Sequence, residues 1–159
     1  MPDTTSADLS PRDVLARYHR AMLDKSADDL ADLYAVDAVH EFPFLFPGMP
    51  ERYQGSEEVR TGYRAAWGAS PAQPQEIHDV LVYESTDPEV IAVEQVVAGT
   101  VTTTGQAFSF PGLLVLRVRN GLIVHVRDYM DGLRIAHTMD RLTAVVASLG
   151  ASQMGATKP

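Results

Sequence analysis

The sequence predicts an α+β fold in which a curved antiparallel sheet wraps over helices drawn from the N-terminal part of the chain. Three observations point there. Helical periodicity with capping signals dominates residues 10–68. Alternating, β-branched runs separated by turn pairs dominate residues 77–130. The two regions follow one another instead of alternating, which favours an antiparallel meander over βαβ units.

Each element has its own signal. Ser10 is a good N-cap, Pro11 suits the first helical position, and Asp13 completes a Ser-x-x-Asp box. Val14, Leu15, Tyr18 and Met22 then recur at helical spacing. A second helix starts at Ser26, with Asp28 and Asp29 in its first turn and Leu30, Leu33 and Tyr34 behind them. A third starts at Ser56 with Glu57 and Glu58, and carries Val59, Tyr63, Ala66 and Trp67 before Gly68. Carboxylates in these first turns sit at the positive end of the helix dipole. Between the second and third helices, the segment from His40 to Pro50 reads as a short strand running into a proline-rich loop.

Strands follow at Ile77–Tyr83, Val90–Thr103, Ala107–Val118 and Leu122–Met130, separated by turns at Asp87-Pro88, Thr104-Gly105 and Asn120-Gly121. The last of these is the strongest hairpin signal in the chain. A final helix carries Leu133, Ala136, His137, Leu142, Val145 and Val146.

Composition bounds the function. The 159 residues include 13 Lys+Arg and 21 Asp+Glu, a net charge of −8, with 45% hydrophobic and 21% charged residues. That suits one globular domain, placed at residues 10–149 between flexible tails at 1–9 and 150–159. The acidic balance argues against nucleic acid and anionic membrane surfaces as partners. There is no cysteine, so disulfides, thiolate catalysis and Cys-ligated metals are excluded. His78, His125 and His137 show no metal-ligand spacing, and no phosphate-cradling glycine motif is present, so neither a metal nor a cofactor is expected. With no signal-peptide pattern and no apolar run near ~20 residues, a cytoplasmic location is expected.

A two-residue turn at Asn120-Gly121 pairs Arg119 with Leu122 and, counting back, Leu113 with Asp128, with Val115 and Val126 on the same face. A carboxylate among such neighbours pays desolvation and should titrate high, as an acid/base group needs. The other reading is that Asp128 ends its strand, pairs with an arginine and caps the next helix. Tyr18, on the apolar stripe of the first helix, is either a core aromatic or a pocket hydroxyl. His40 alternates with Phe42 and Phe44 and is either a satisfied core group or part of a cleft. Glu94 is either a second buried carboxylate or a cross-strand ion-pair partner, and Gln95 points the opposite way.

Leu15-Ala-Arg-Tyr18, Leu33-Tyr-Ala-Val-Asp-Ala38, Glu41-Phe-Pro-Phe44 followed by Pro50-Glu-Arg-Tyr-Gln-Gly-Ser56, and Asn120-Gly-Leu-Ile-Val-His-Val-Arg-Asp-Tyr-Met-Asp131 occur in an order and spacing that resembles a known family. It is the SnoaL-like and ketosteroid-isomerase-like branch of the nuclear transport factor 2-like superfamily. The resemblance implies a cone-shaped α+β barrel of the cystatin-like type. Tyr18 matches the oxyanion-binding tyrosine of ketosteroid isomerases. The position of their base is Phe42 here, and that of their protonated aspartate falls near Leu113 or Leu114. Limonene epoxide hydrolases carry Arg-x-Asp where this chain has Gln95 and Val97, and share an aspartate at Asp128. SnoaL-like polyketide cyclases place an acid/base aspartate, and phenazine-biosynthesis A/B proteins a glutamate, on the same strand.

The expected function is therefore cofactor-independent acid/base cyclisation, isomerisation or dehydration of a hydrophobic, carbonyl-bearing metabolite, polyketide-like or otherwise secondary. Asp128 would be the acid/base, and Tyr18 and His40 would donate to the enolate-like oxygen. Phe42, Phe44, Tyr63, Trp67, Glu94, Phe110, Leu113 and Met130 would shape the cavity. The alternatives are a non-catalytic ligand-binding module and an epoxide hydrolase using Glu94. A homodimer is expected through an outer sheet face carrying Leu114, Leu116, Val118, Ile123 and Tyr129.

Overall fold

The structure, a computed structural model, describes residues 9–44 and 48–154, with side chains to Ala151. The middle of the proline-rich loop (45–47) and most of the two tails placed at 1–9 and 150–159 lie outside the described residues.

Helix α1 spans Pro11–Asp24 and opens on the expected capping box, with the Asp13 N–H donating to Ser10 Oγ and the Ser10 N–H to the Asp13 carboxylate. It buries Val14, Leu15, Tyr18 and Ala21. Helix α2 is only five residues, Ala27–Ala31, capped by Ser26. Tyr34, expected behind that helix, instead opens strand β1 (Tyr34–Glu41). Sheet pairing overrides the helical spacing here, because the Ile123 N–H donates to the Leu33 carbonyl at 2.8 Å. A short strand not signalled in the sequence, β2 (Arg52–Gln54), precedes α3 (Ser56–Ala69). The N-cap of α3 is Gly55, at φ 87°, and not Ser56. No side chain caps its first turn, and the Glu58 carboxylate instead reaches back to take the Gln54 N–H of β2 at 2.7 Å.

The remaining strands are β3 (Ala72–Glu84), β4 (Val90–Val101), β5 (Ala107–Arg119) and β6 (Leu122–Met130). Two helices follow, α4 (Gly132–Thr138) and α5 (Leu142–Met154), where one was expected. Asp140, at φ 55°, breaks the helical path between them. Helix α5 continues past the expected limit of the domain at residue 149.

The six strands form one curved, open sheet in the order β2-β1-β6-β5-β4-β3. The meander from β3 to β6 is antiparallel as expected, but β1 pairs with β6 in parallel. Most of the chain lies between these two strands, so the long crossover a parallel pair requires is available.

The β5–β6 hairpin starts in the expected register, with Arg119 opposite Leu122 and Val118 opposite Ile123. An extra residue on β6, Val124, then shifts the ladder, so that Arg117 faces His125 and Leu114, not Leu113, faces Asp128. A single-residue bulge re-aims every pair beyond it. The alternation of β5 puts Leu114, Leu116 and Val118, with Ile123 of β6, in the core against Val14, Leu15, Tyr18, Leu30 and Val59, and not on an outer face. Tyr129, paired with Leu113, does lie on the convex side. Among the described residues no helix is long and apolar enough to cross a membrane.

Candidate active site

The concave side of the sheet brings Asp128 of β6 and His40 of β1 together across the parallel pair, where His40 faces Val126. The Asp128 side chain is 15% exposed and its Oδ2 lies 3.5 Å from His40 Nε2. His40 itself has no exposed surface. The Tyr34 hydroxyl is hydrogen-bonded to its Nδ1 at 2.8 Å, and the Tyr63 hydroxyl lies 3.1 Å from Nε2. Tyr18, from α1, hydrogen-bonds with both Tyr34 and Tyr63. Two helices and two strands, far apart in the sequence, therefore supply one continuous polar network.

Burial pushes all three tyrosine hydroxyls well above the usual phenol range, and the negative charge of Asp128 acts in the same direction on each. These groups keep their protons at neutral pH and act as donors. The network thus ends in one carboxylate that still reaches solvent.

Rings enclose it. Phe42 is buried with its ring 4.8 Å from His40, Tyr53 packs edge-on to Phe42 at 5.6 Å, and Trp67 lies 4.8 Å from Tyr63. Phe110 stacks on Phe108 at 4.6 Å. Met130 follows Asp128 on the same face of β6. A second polar pair crosses from α1 to β4, where His19 Nε2–H donates to Gln95 Oε1 at 2.6 Å. Burial holds the His19 imidazole below its usual range, partly offset by this bond. No group of three or more His, Asp or Glu side chains among the described residues is arranged to hold a metal ion.

Three residues expected in the cavity are elsewhere. Glu94 lies on the convex face and accepts the Tyr83 hydroxyl at 2.6 Å, because it is Gln95 that β4 turns inward. Leu113 joins it there, opposite Glu94, as a consequence of the bulge. Phe44 is 61% exposed and packs on Tyr129. Strand β1 ends at Glu41 and the Phe42 N–H turns to the Glu51 carbonyl, so the alternation that aligns His40 with Phe42 does not extend to Phe44. Tyr18 and His40 are present in the network but are fully covered, so neither side chain presents a surface for a ligand to touch.

Tyr34, Tyr53, His19 and Gln95 complete the picture without having been singled out as site residues. A strand extended back to residue 34 puts Tyr34 and His40 an even number of positions apart, which was the available signal for Tyr34. His19 carried none, because it flanks the apolar stripe of α1.

An uncharacterised PhzA/B-like protein of Pseudomonas aeruginosa is 28% identical over 130 residues, covering 79% of this chain and 87% of that protein. A solved Bacillus subtilis structure, provisionally named an isomerase, is 25% identical with a TM-score of 0.74, covering 89% of this chain and 97% of that one. A Xanthomonas campestris structure, provisionally named a polyketide cyclase, shares the fold at 24% identity and a TM-score of 0.58, covering 73% and 86%. The sequence itself matches the SnoaL-like domain over residues 15–126, most of its length, and the chain belongs to that family.

Proposed function

We propose that this SnoaL-like protein is a cofactor-independent enzyme that moves a proton at the carbon beside a carbonyl in a hydrophobic metabolite. In the first step an Asp128 oxygen takes the proton. The C–H electron pair shifts into the carbon–carbon bond, and the carbonyl oxygen becomes an enolate oxygen. Tyr63, a half-buried side chain whose hydroxyl lies 3.1 Å from His40 Nε2, donates to that oxygen. An oriented donor of this kind is worth roughly 3 kcal/mol of barrier. Return of the proton to another carbon is isomerisation, and attack of the enolate carbon on a second carbonyl is cyclisation. Loss of a β-hydroxyl, with Asp128 giving back its proton to form water, is dehydration.

One observation carries this reading. The carboxylate reaching the concave side is backed by a buried histidine whose two ring nitrogens are both engaged, so it is held in place and not free to rotate into solvent. His40, Tyr34 and Tyr18 are positioning residues in this scheme. The epoxide-hydrolase alternative loses its third group, since Glu94 faces away from the cleft. We also propose that two copies pair through the convex face of the sheet.

Exchange of the α-protons of 2-tetralone in D2O, followed by proton NMR, tests the chemistry. The wild-type protein accelerates exchange, and Asp128→Asn, which keeps the shape and removes the base, lowers the rate at least ~100-fold. An Asp128→Asn protein that exchanges at the wild-type rate overturns the assignment. Absence of exchange with the wild type favours the ligand-binding alternative.

A further inference from the structure

Gln95 is a polar side chain in a place that should be apolar. It occupies an inward position of β4, is 6% exposed, and has its carbonyl oxygen fixed by His19. Its amide nitrogen makes no hydrogen bond among the described residues, although Gln95 is more than nine-tenths buried. Nor is that nitrogen among buried atoms sealed off without a partner, so it borders space a small group can enter. A donor left open at the edge of a buried side chain is available to an acceptor on a bound molecule.

The strand neighbours show where the space lies. Gln95 faces Gly112 across β5, and Gly112 faces Met130 on β6, one inward step from Asp128. A Cβ built on Gly112 would meet nothing nearer than the Tyr129 carbonyl at 3.7 Å. The floor between Gln95 and Asp128 is therefore a side-chain gap in the sheet. Two strand spacings and one inward step separate the two residues, roughly 12 Å between Cα atoms. Phe110, along β5 from Gly112, borders the same gap.

We propose that Gln95, held by His19, is a second binding station that recognises a hydrogen-bond acceptor at the far end of the substrate, across the Gly112 floor from Asp128. The ligand class follows: a flat, hydrophobic, fused-ring or extended molecule with a carbonyl at one end and a hydroxyl or carbonyl at the other. This rests on the reading of Asp128 as the base and adds a specificity determinant to it. Gln95 acts on binding, so its loss is felt in KM or Kd before kcat.

Two naphthols separate the possibilities. 2-Naphthol mimics the enol of 2-tetralone, and 2,6-dihydroxynaphthalene adds a hydroxyl at the opposite end. Fluorescence titration of the wild-type protein should show the second binding five- to tenfold tighter. Gln95→Met, equal in length and apolar, should abolish that preference while leaving 2-naphthol affinity within twofold. His19→Phe, which frees the amide to rotate, should reduce it. Equal binding of the two naphthols by the wild type, or equal weakening of both by Gln95→Met, overturns the station alone. In that event 2-naphthol binding still weakens in Tyr63→Phe if the Asp128 reading holds. Failure of the wild type to bind either compound overturns both.

Discussion

Tyr34 is the residue whose removal tests the network most directly. Its hydroxyl is the partner of His40 Nδ1 in a site with no solvent, so Tyr34→Phe leaves a buried ring nitrogen unpaired. We expect a loss of about 1–3 kcal/mol in urea unfolding. If Tyr34 positions Asp128 through His40, the tetralone exchange also falls in kcat with little change in KM. A purely structural tyrosine would lower stability and leave the rate per folded molecule intact. Asp128, Tyr18 and His40 were legible as chemistry-bearing positions because each interrupts an apolar face with a polar group. What could not be read was their order of access. Tyr18 and His40 are covered by Tyr63, Phe42 and Tyr53, and covering is a property of packing between α3 and β1 that no local pattern encodes.

At the scale of elements, most segments were visible from caps, periodicity and turns, while the details that aim side chains were not. The Asn120-Gly121 turn, with φ values of 51° and 74°, fixes the start of the hairpin. The bulge at Val124 then moves Asp128 from Leu113 to Leu114, and one valine in a run of β-branched residues gives no sign of it. Gly99 is the converse case, a glycine whose reason appears only in the fold. A Cβ there would collide with the Gln73 carbonyl on β3 and approach the Phe108 ring to 2.8 Å. Gly99→Ala should therefore force β3 and β4 apart and cost roughly 1–3 kcal/mol, measurable as a lowered thermal midpoint. Glu89, at the β3–β4 turn, is clamped to β5 by Arg119 and Arg117 and has its carboxyl lowered from 4.5 to about 2. A depressed carboxylate contributes stability that is fully present above its unfolded pKa and is lost as pH falls through its folded one. Glu89→Gln should thus be less stable than wild type at neutral pH, with the difference between their thermal midpoints closing between pH 4.5 and about 2.

For the whole molecule, the open question is what covers the convex face of the sheet. The sequence suggested an apolar outer face carrying Leu114, Leu116, Val118, Ile123 and Tyr129; Tyr129 lies there, while the other four lie in the core. The face that remains outside still carries Leu81 and Tyr83, 55% and 51% exposed, on β3, with Leu113 on β5 and the Phe44–Tyr129 pair beside β6. Exposed rings and leucines spread over neighbouring strands exceed the scattered apolar residues of an ordinary monomer surface. The proposed pairing of two copies would cover this patch, and a stable pair needs roughly 800 Å² from each partner. Each chain brings a charge of −8, so association has to overcome like-charge repulsion and should strengthen as salt screens it. Sedimentation velocity should show a dimer at micromolar concentration, tightening as salt is raised. Leu81→Asp, which places a charge within the exposed apolar patch without touching the core, should sediment as a folded monomer with unchanged circular dichroism. It should retain tetralone exchange, because Asp128 and Tyr63 open on the opposite side of the sheet. A wild-type monomer at those concentrations, or a Leu81→Asp protein that still pairs, would remove the convex face as the contact.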